Sequence, residues 1–108
     1  MNLPTEIFGS VVVIHTPEEL GADQADDFEQ CLADVEQACI VLDLDNTELL
    51  DSAGLTSLLN VQDRLRERGG DVKISTTNST NRKILEVTRL DQHLDVFDSV
   101  IDAVKTFR

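Results

Sequence analysis

The stretch from Ile40 to Leu59, IVLDLDNTELLDSAGLTSLL, decides the fold class because its hydrophobic period changes partway along. Ile40-Val41-Leu42-Asp43-Leu44 is a short, nearly continuous apolar run, the pattern of a strand covered on both faces. Leu55, Leu58 and Leu59, continued by Leu65, recur instead at helical spacing and mark an amphipathic helix. Between the two lies an acidic loop, and the helix begins at Asp51-Ser52, where either residue can serve as N-cap. In open α/β sheets, ligands and partners meet the loops at the carboxyl ends of strands. Function is therefore to be sought here.

Working outward toward the N-terminus, Val11-Val12-Val13-Ile14 is β-branched and apolar on both faces, and Gly9-Ser10 can turn it back onto Leu3–Phe8. An N-terminal hairpin is expected. Thr16-Pro17-Glu18-Glu19 carries a helix-start pattern, with Thr as N-cap, Pro at the first helical position and Glu at the third, although Gly21 argues against a continuous helix. From about Asp23, the residues Ala25, Phe28, Leu32 and Val35 form one apolar stripe, while Asp26, Asp27, Glu29, Asp34 and Glu36 face water. That segment reads as a helix leading into the strand at Ile40.

Toward the C-terminus, Arg64, Arg66 and Arg68 crowd the end of the Leu55–Leu65 helix, where cations suit the dipole, and Gly69-Gly70 terminates it. Val72-Lys73-Ile74-Ser75 is the next strand. Asn78 or Ser79 then caps a helix carrying Ile84, Leu85, Val87 and Thr88, Leu94–Phe97 forms a last short strand, and Ser99-x-x-Asp102 opens a closing helix with Val100, Ile101, Val104 and Phe107 inside. The order β-β-α-β-α-β-α-β-α predicts an α/β fold, a mixed but mostly parallel sheet of four to five strands with about four helices. With 108 residues and no linker-like stretch, one domain spanning 1–108 is expected.

Charge narrows the partners. The net charge of −12 repels phosphates, which argues against nucleic acid or an anionic membrane. It is also unevenly spread: Met1 to Asp51 holds thirteen acidic residues and no Lys or Arg, whereas the rest holds eight acidic residues and all nine basic ones, Arg64 to Arg108. The acidic half suits either a solvated surface or a face that meets a basic protein. No apolar run is long enough to span a membrane, and the N-terminus MNLPTEIFGS lacks a signal-peptide pattern, so a cytoplasmic location is expected. Cys31 and Cys39 lack metal-site spacing and read as reduced, buried small hydrophobes, and His15 and His93 have no partner spacing that would assign them a role.

Leu42-Asp43-Leu44 followed by Leu49-Leu50-Asp51-Ser52-Ala53-Gly54-Leu55 resembles the D-S-[SA]-G-L signature of STAS domains, in particular the bacterial anti-sigma factor antagonists. Arg64–Gly70 before one strand, and Ile84–Leu90 before Val96-Phe97-Asp98-Ser99, are similar to the family's later segments in order and spacing. The resemblance covers roughly Val11 to Phe107. It implies a STAS-like domain that acts as a protein-binding module, in which Ser52 is phosphorylated by a GHKL-type serine kinase that is itself the anti-sigma factor. The unphosphorylated form would sequester that kinase and a phosphatase acting on phospho-Ser52 would reset it. Asp51, Ser52, Ala53, Gly54 and Leu55, with Asp43 and Asp45, would form the partner-binding face, and no cofactor is implied. Relatives also serve in stress-signalling assemblies and as accessory subunits of lipid-transport systems. The family's G-x-L-D pattern after the second strand is replaced here by Pro17-Glu18-Glu19-Leu20-Gly21-Ala22-Asp23.

A phosphate on Ser52 would sit at a helix N-terminus, where free backbone N–H groups and the positive dipole end favour an anion, so modification need not unfold the chain. The competing enzymatic reading is Asp43-Leu44-Asp45-Asn46-Thr47, which also fits the D-x-D-x-T pattern of haloacid-dehalogenase-type phosphohydrolases. A hairpin and a helix precede it here, and the strand Val72–Ser75 leads only to Thr76-Thr77-Asn78, without the Lys and acidic metal ligands that such chemistry needs. No other nucleophile and base pair stands out, so the expectation is a binding protein without catalysis.

Overall fold

The computed structural model describes residues 1–107. Thr5–Phe8 (β1) and Val11–His15 (β2) form the expected antiparallel hairpin, turning at Gly9, whose φ of 64° lies in the left-handed region. Beyond them, Cys39–Asp43 (β4), Asp71–Ser75 (β6) and Asp95–Phe97 (β7) add parallel to β2, giving a mixed five-stranded sheet in the order β1-β2-β4-β6-β7. Four helices accompany it: Ala22–Ala33 (α1), Ser52–Glu67 (α2), Ser79–Val87 (α3) and Val100–Lys105 (α4). The order of these longer elements is the one expected from the sequence.

Strand alternation assigns the helices to layers. Val12, Ile14, Ile40, Leu42, Val72 and Ile74 face one side and pack with Phe28 and Leu32 of α1, Leu58 and Val61 of α2, and Leu85 of α3. Val11, Val13 and Val41 face the other side, where Ala103 and Val104 of α4 cover them. Phe28, Leu42 and Leu58 are wholly buried, each worth about 1.5–3 kcal/mol relative to an exposed side chain.

Several boundaries differ from expectation. Thr16-Pro17-Glu18-Glu19 does not start a helix; Glu19–Leu20 is a two-residue strand (β3), paired parallel with a second unforeseen strand, Leu49–Leu50 (β5). The local helix signal loses to distant hydrogen bonds. Thr16 donates from both its N–H and its hydroxyl to the Asp43 carbonyl (3.1 Å each), and the Thr47 hydroxyl donates to the Pro17 carbonyl at 2.6 Å. The Glu18 carbonyl accepts from the N–H groups of both Glu48 and Leu49. Gly21 then becomes the N-cap of α1, its N–H donating to the Gln24 side chain at 3.0 Å.

Ile101, expected inside, is 49% exposed, and Val87 is 67% exposed, because each lies on the solvent side of its short helix. Leu90–Gln92 forms a single 3₁₀ turn before β7, and Cys31 and Cys39 are free and half-buried. At the end of α2, Gly69 adopts φ 81° and closes the helix as its sequence position implied. Arg108 lies outside the described residues.

Candidate functional site

The candidate site sits at the carboxyl ends of β2, β4 and β6, where β3, β5 and the N-termini of α1 and α2 come together. Asp51 is the N-cap of α2: its backbone is extended, and Oδ1 accepts from the N–H groups of Ala53 (2.9 Å) and Gly54 (3.1 Å). This settles which of the two candidate residues caps the helix. Ser52 occupies the first helical position, is exposed, and its hydroxyl has no hydrogen-bond partner among the described residues. Its carbonyl accepts from the Thr56 hydroxyl at 2.9 Å, an interaction within the first turn.

The capping arrangement changes one expectation. The backbone N–H groups of Ala53 and Gly54, which a phosphate on Ser52 was expected to find free, are already held by the Asp51 carboxylate. A phosphoryl group would therefore stand beside an anion and project toward solvent, instead of being gathered in by the helix end.

Packing beneath Ser52 is tight. A methyl group added at Gly54 would lie 2.0 Å from the Leu20 carbonyl oxygen, so this glycine is what allows α2 to start against β3. One added at Gly21 would lie 2.7 Å from Asp51 Oδ2, so the N-cap of α1 lies directly against the N-cap of α2. Leu55 and Ala53 follow in α2, Leu55 turned into the core and Ala53 half-buried.

Asp43 and Asp45 lie at the same end of the sheet but are engaged otherwise. Asp43, 9% exposed, accepts from the Asp45 N–H (2.9 Å) through Oδ1 and faces His15 Nδ1 (3.0 Å) through Oδ2. The other ring nitrogen of His15 faces Glu6 of β1 at 2.8 Å. Asp45 is exposed, and its two oxygens accept from the Thr77 N–H (2.6 Å) and from the hydroxyls of Thr76 (3.2 Å) and Thr77 (3.1 Å). Asn81 of α3 completes the frame: its Nδ2 donates to the carbonyls of Leu44 (3.1 Å) and Thr47 (2.8 Å). These contacts hold the β4–β5 loop from below.

Sequence reasoning missed the roles of His15, Asn81 and the β3–β5 ladder. A signal for the ladder existed: Glu18-Glu19-Leu20-Gly21 and Glu48-Leu49-Leu50-Asp51 are similar acidic-to-leucine segments, each ending at a helix N-cap.

A small α/β protein with a mixed sheet, presenting an exposed serine at the start of a helix above the strand ends, is the class that fold and site define. The family model described as STAS domain matches residues 2–103, and the chain belongs to that family. A Thermotoga maritima protein provisionally named an anti-sigma factor antagonist is 25% identical over 109 residues, covering 97% of this chain and 96% of its own. A solved structure from the same organism under the same provisional name superposes with a TM-score of 0.86 at 25% identity, over 96% of this chain and 92% of its own. An anti-sigma factor antagonist from Mycobacterium paratuberculosis gives 0.85 at 23% identity, over 97% and 92%. The antagonist SpoIIAA in its unphosphorylated form gives 0.74 at 17% identity, over 99% and 96%, and the Bacillus protein has also been solved phosphorylated. At these lower identities the similarity speaks for the fold.

Proposed function

We propose that this chain is an anti-sigma factor antagonist of one domain, a binding protein whose affinity for a GHKL-type serine kinase is switched by phosphorylation of Ser52. The observation that carries this reading is the exposed Ser52 at the first position of α2, with its hydroxyl unengaged and the capping duty borne by Asp51. Such a hydroxyl can be modified without removing a bond that holds the helix. The names of the similar proteins, and the existence of SpoIIAA in phosphorylated and unphosphorylated forms, support the same reading.

In the proposed cycle the partner kinase supplies ATP and Mg²⁺. Ser52 Oγ attacks the γ-phosphorus, the bond to the β,γ-bridging oxygen breaks, ADP leaves and the serine proton passes to the kinase's base or to water. The product carries about −1.5 to −2 charges beside Asp51, whose carboxylate already occupies the helix N-terminus. Added bulk and charge then oppose the kinase's nucleotide phosphates and release the partner, while α2 stays capped. A phosphatase acting on phospho-Ser52 restores binding. Asp43 and Asp45 serve this reading as struts for the loop, since their oxygens face His15, the Asp45 N–H, Thr76 and Thr77. We assign them no nucleophilic role, and a Mg²⁺-dependent phosphatase activity abolished by Asp43→Asn would reverse that assignment.

The test is incubation with candidate anti-sigma kinases and ATP, followed by mass spectrometry and binding measurements. A single phosphate on Ser52 is expected, with Ser52→Ala retaining affinity and Ser52→Asp losing it. A phosphate on another residue, or equal binding by the two variants, overturns the switch.

A further inference from the structure

The two edges of the main sheet are finished differently. β7 is three residues long and carries Asp95, with Asp98 just beyond it, charges that discourage pairing with another strand. All four residues of β1 are exposed, Ile7 by 66% and Phe8 by 37%, and among the described residues no strand pairs with its outer side. Its one charge, Glu6, already faces His15 Nε2. The hydrogen-bond alternation of an antiparallel pair says which main-chain groups point outward. The His15 N–H donates to the Pro4 carbonyl at 3.0 Å, so Pro4, Glu6 and Phe8 present their main-chain groups to β2, while those of Leu3, Thr5 and Ile7 point away from it. Side chains follow the same period: Thr5 and Ile7 lie on the face of Val12 and Ile14, where Leu3 packs against the core.

We infer that β1 pairs antiparallel with β1 of a second copy of this chain, about a two-fold axis that sets Thr5 opposite Thr5 and joins the two sheets into one. An edge that offers main-chain donors and acceptors is satisfied by another strand, and a second copy is the occupant because this edge is its own complement. Outward groups meet outward groups only when some residue lies opposite itself. At Ile7 or Phe8 the pairing would run into the turn, where Gly9 holds φ 64°. At Glu6 it would place two carboxylates directly opposite each other. At Thr5 neither happens: Thr5 exchanges bonds with Thr5, and Ile7 with Leu3 of the second copy, whose side chain shares its face and covers it. Glu6 then lies opposite Pro4, whose missing N–H belongs to the side facing β2 and is not needed at this junction. The net charge of −12 opposes any contact between copies, so the pairing strengthens as salt screens that repulsion.

Analytical ultracentrifugation of the full chain, over a range of protein and salt concentrations, should show a monomer–dimer equilibrium that salt shifts toward the dimer. In a mixture of isotope-labelled and unlabelled chain, isotope-filtered NMR should connect the Ile7 methyl groups to Leu3 of the other copy. Ile7→Lys charges the edge, and Thr5→Pro removes an outward N–H that the hairpin does not use. Each change is made twice in a symmetric interface and should weaken dimerisation at least about tenfold, with the melting temperature of the monomer little altered. Val87→Ser, which removes an exposed apolar side chain on α3, should dimerise as the parent does. A chain that stays monomeric at high concentration and high salt overturns the proposal. So does a dimer that Ile7→Lys leaves intact, the deciding variant should Thr5→Pro fail to fold. Contacts from Ile7 to Ile7 in place of Leu3 overturn the Thr5 axis.

Discussion

The starts of α2 and α3 are nearly the same local structure. α2 follows β5 of the short ladder and α3 follows β6 of the main sheet, but each is capped by a side-chain oxygen that accepts from the second and third helical N–H groups at 2.9 and 3.1 Å, and each places an exposed serine first in the helix. Asp51-Ser52-Ala53-Gly54 and Asn78-Ser79-Thr80-Asn81 differ in what lies around them. At α2, Gly54 lets the helix rest on the Leu20 carbonyl, Gly21 lets α1 begin against Asp51, and β3–β5 adds an acidic surface with Leu49 outermost. At α3, Asn81 is buried and used as a strut beneath the β4–β5 loop. Under the proposed switch, Ser52 is distinguished from Ser79 by the packing and surface around it, and Ser79 serves as the internal control.

That contrast can be broken most severely at the fourth position of each motif. Gly54→Val should cost at least about 3 kcal/mol, because its side chain would collide with backbone that cannot move without dismantling β3; urea unfolding monitored by circular dichroism measures it. Asn81→Ala, the matching change at α3, should cost about 2 kcal/mol by leaving the Thr47 carbonyl unpaired and the Leu44 carbonyl with the Thr47 N–H alone, with hydrogen exchange accelerated in the β4–β5 loop. Replacing the caps sharpens the comparison at smaller scale. Asp51→Ala and Asn78→Ala should each lose about 1 kcal/mol, and a large inequality would show that the Gly21 contact makes the first more than a cap. Least of all, Ser52→Ala and Ser79→Ala should change stability by under about 0.5 kcal/mol. Only the first should abolish phosphorylation by the partner kinase in a radiolabel or mass-spectrometric assay.

Much of the architecture was legible because the hydrophobic period is strong where elements are long. The stripe of Phe28 and Leu32, the run Ile40–Leu44 and the leucines from Leu55 to Leu65 each encode their own state, and Asp51, Asn78 and Ser99 cap the helices that follow them. The D-S-A-G-L segment pointed to Ser52 through resemblance, and the fold places that serine at an exposed helix start. The miss at Thr16–Leu20 has a definite cause. Thr-Pro-Glu-Glu is a sound local helix start, yet Thr16 and Glu18 bond to Asp43, Glu48 and Leu49, residues about thirty positions away. A window of neighbouring residues carries no record of those partners.

By itself, then, the sequence determined the order of the longer strands and helices, the acidic asymmetry of the two halves and the location of the serine at a helix start, since all three depend on short-range periodicity or on counting charges. Tertiary structure alone decided that Thr16 and Glu18 bond to Asp43, Glu48 and Leu49, that His15 links Glu6 to Asp43, and that Glu19 and Leu49 lie side by side. Each of those outcomes brings together groups from separate segments of the chain. Only the packed sheet brings them there.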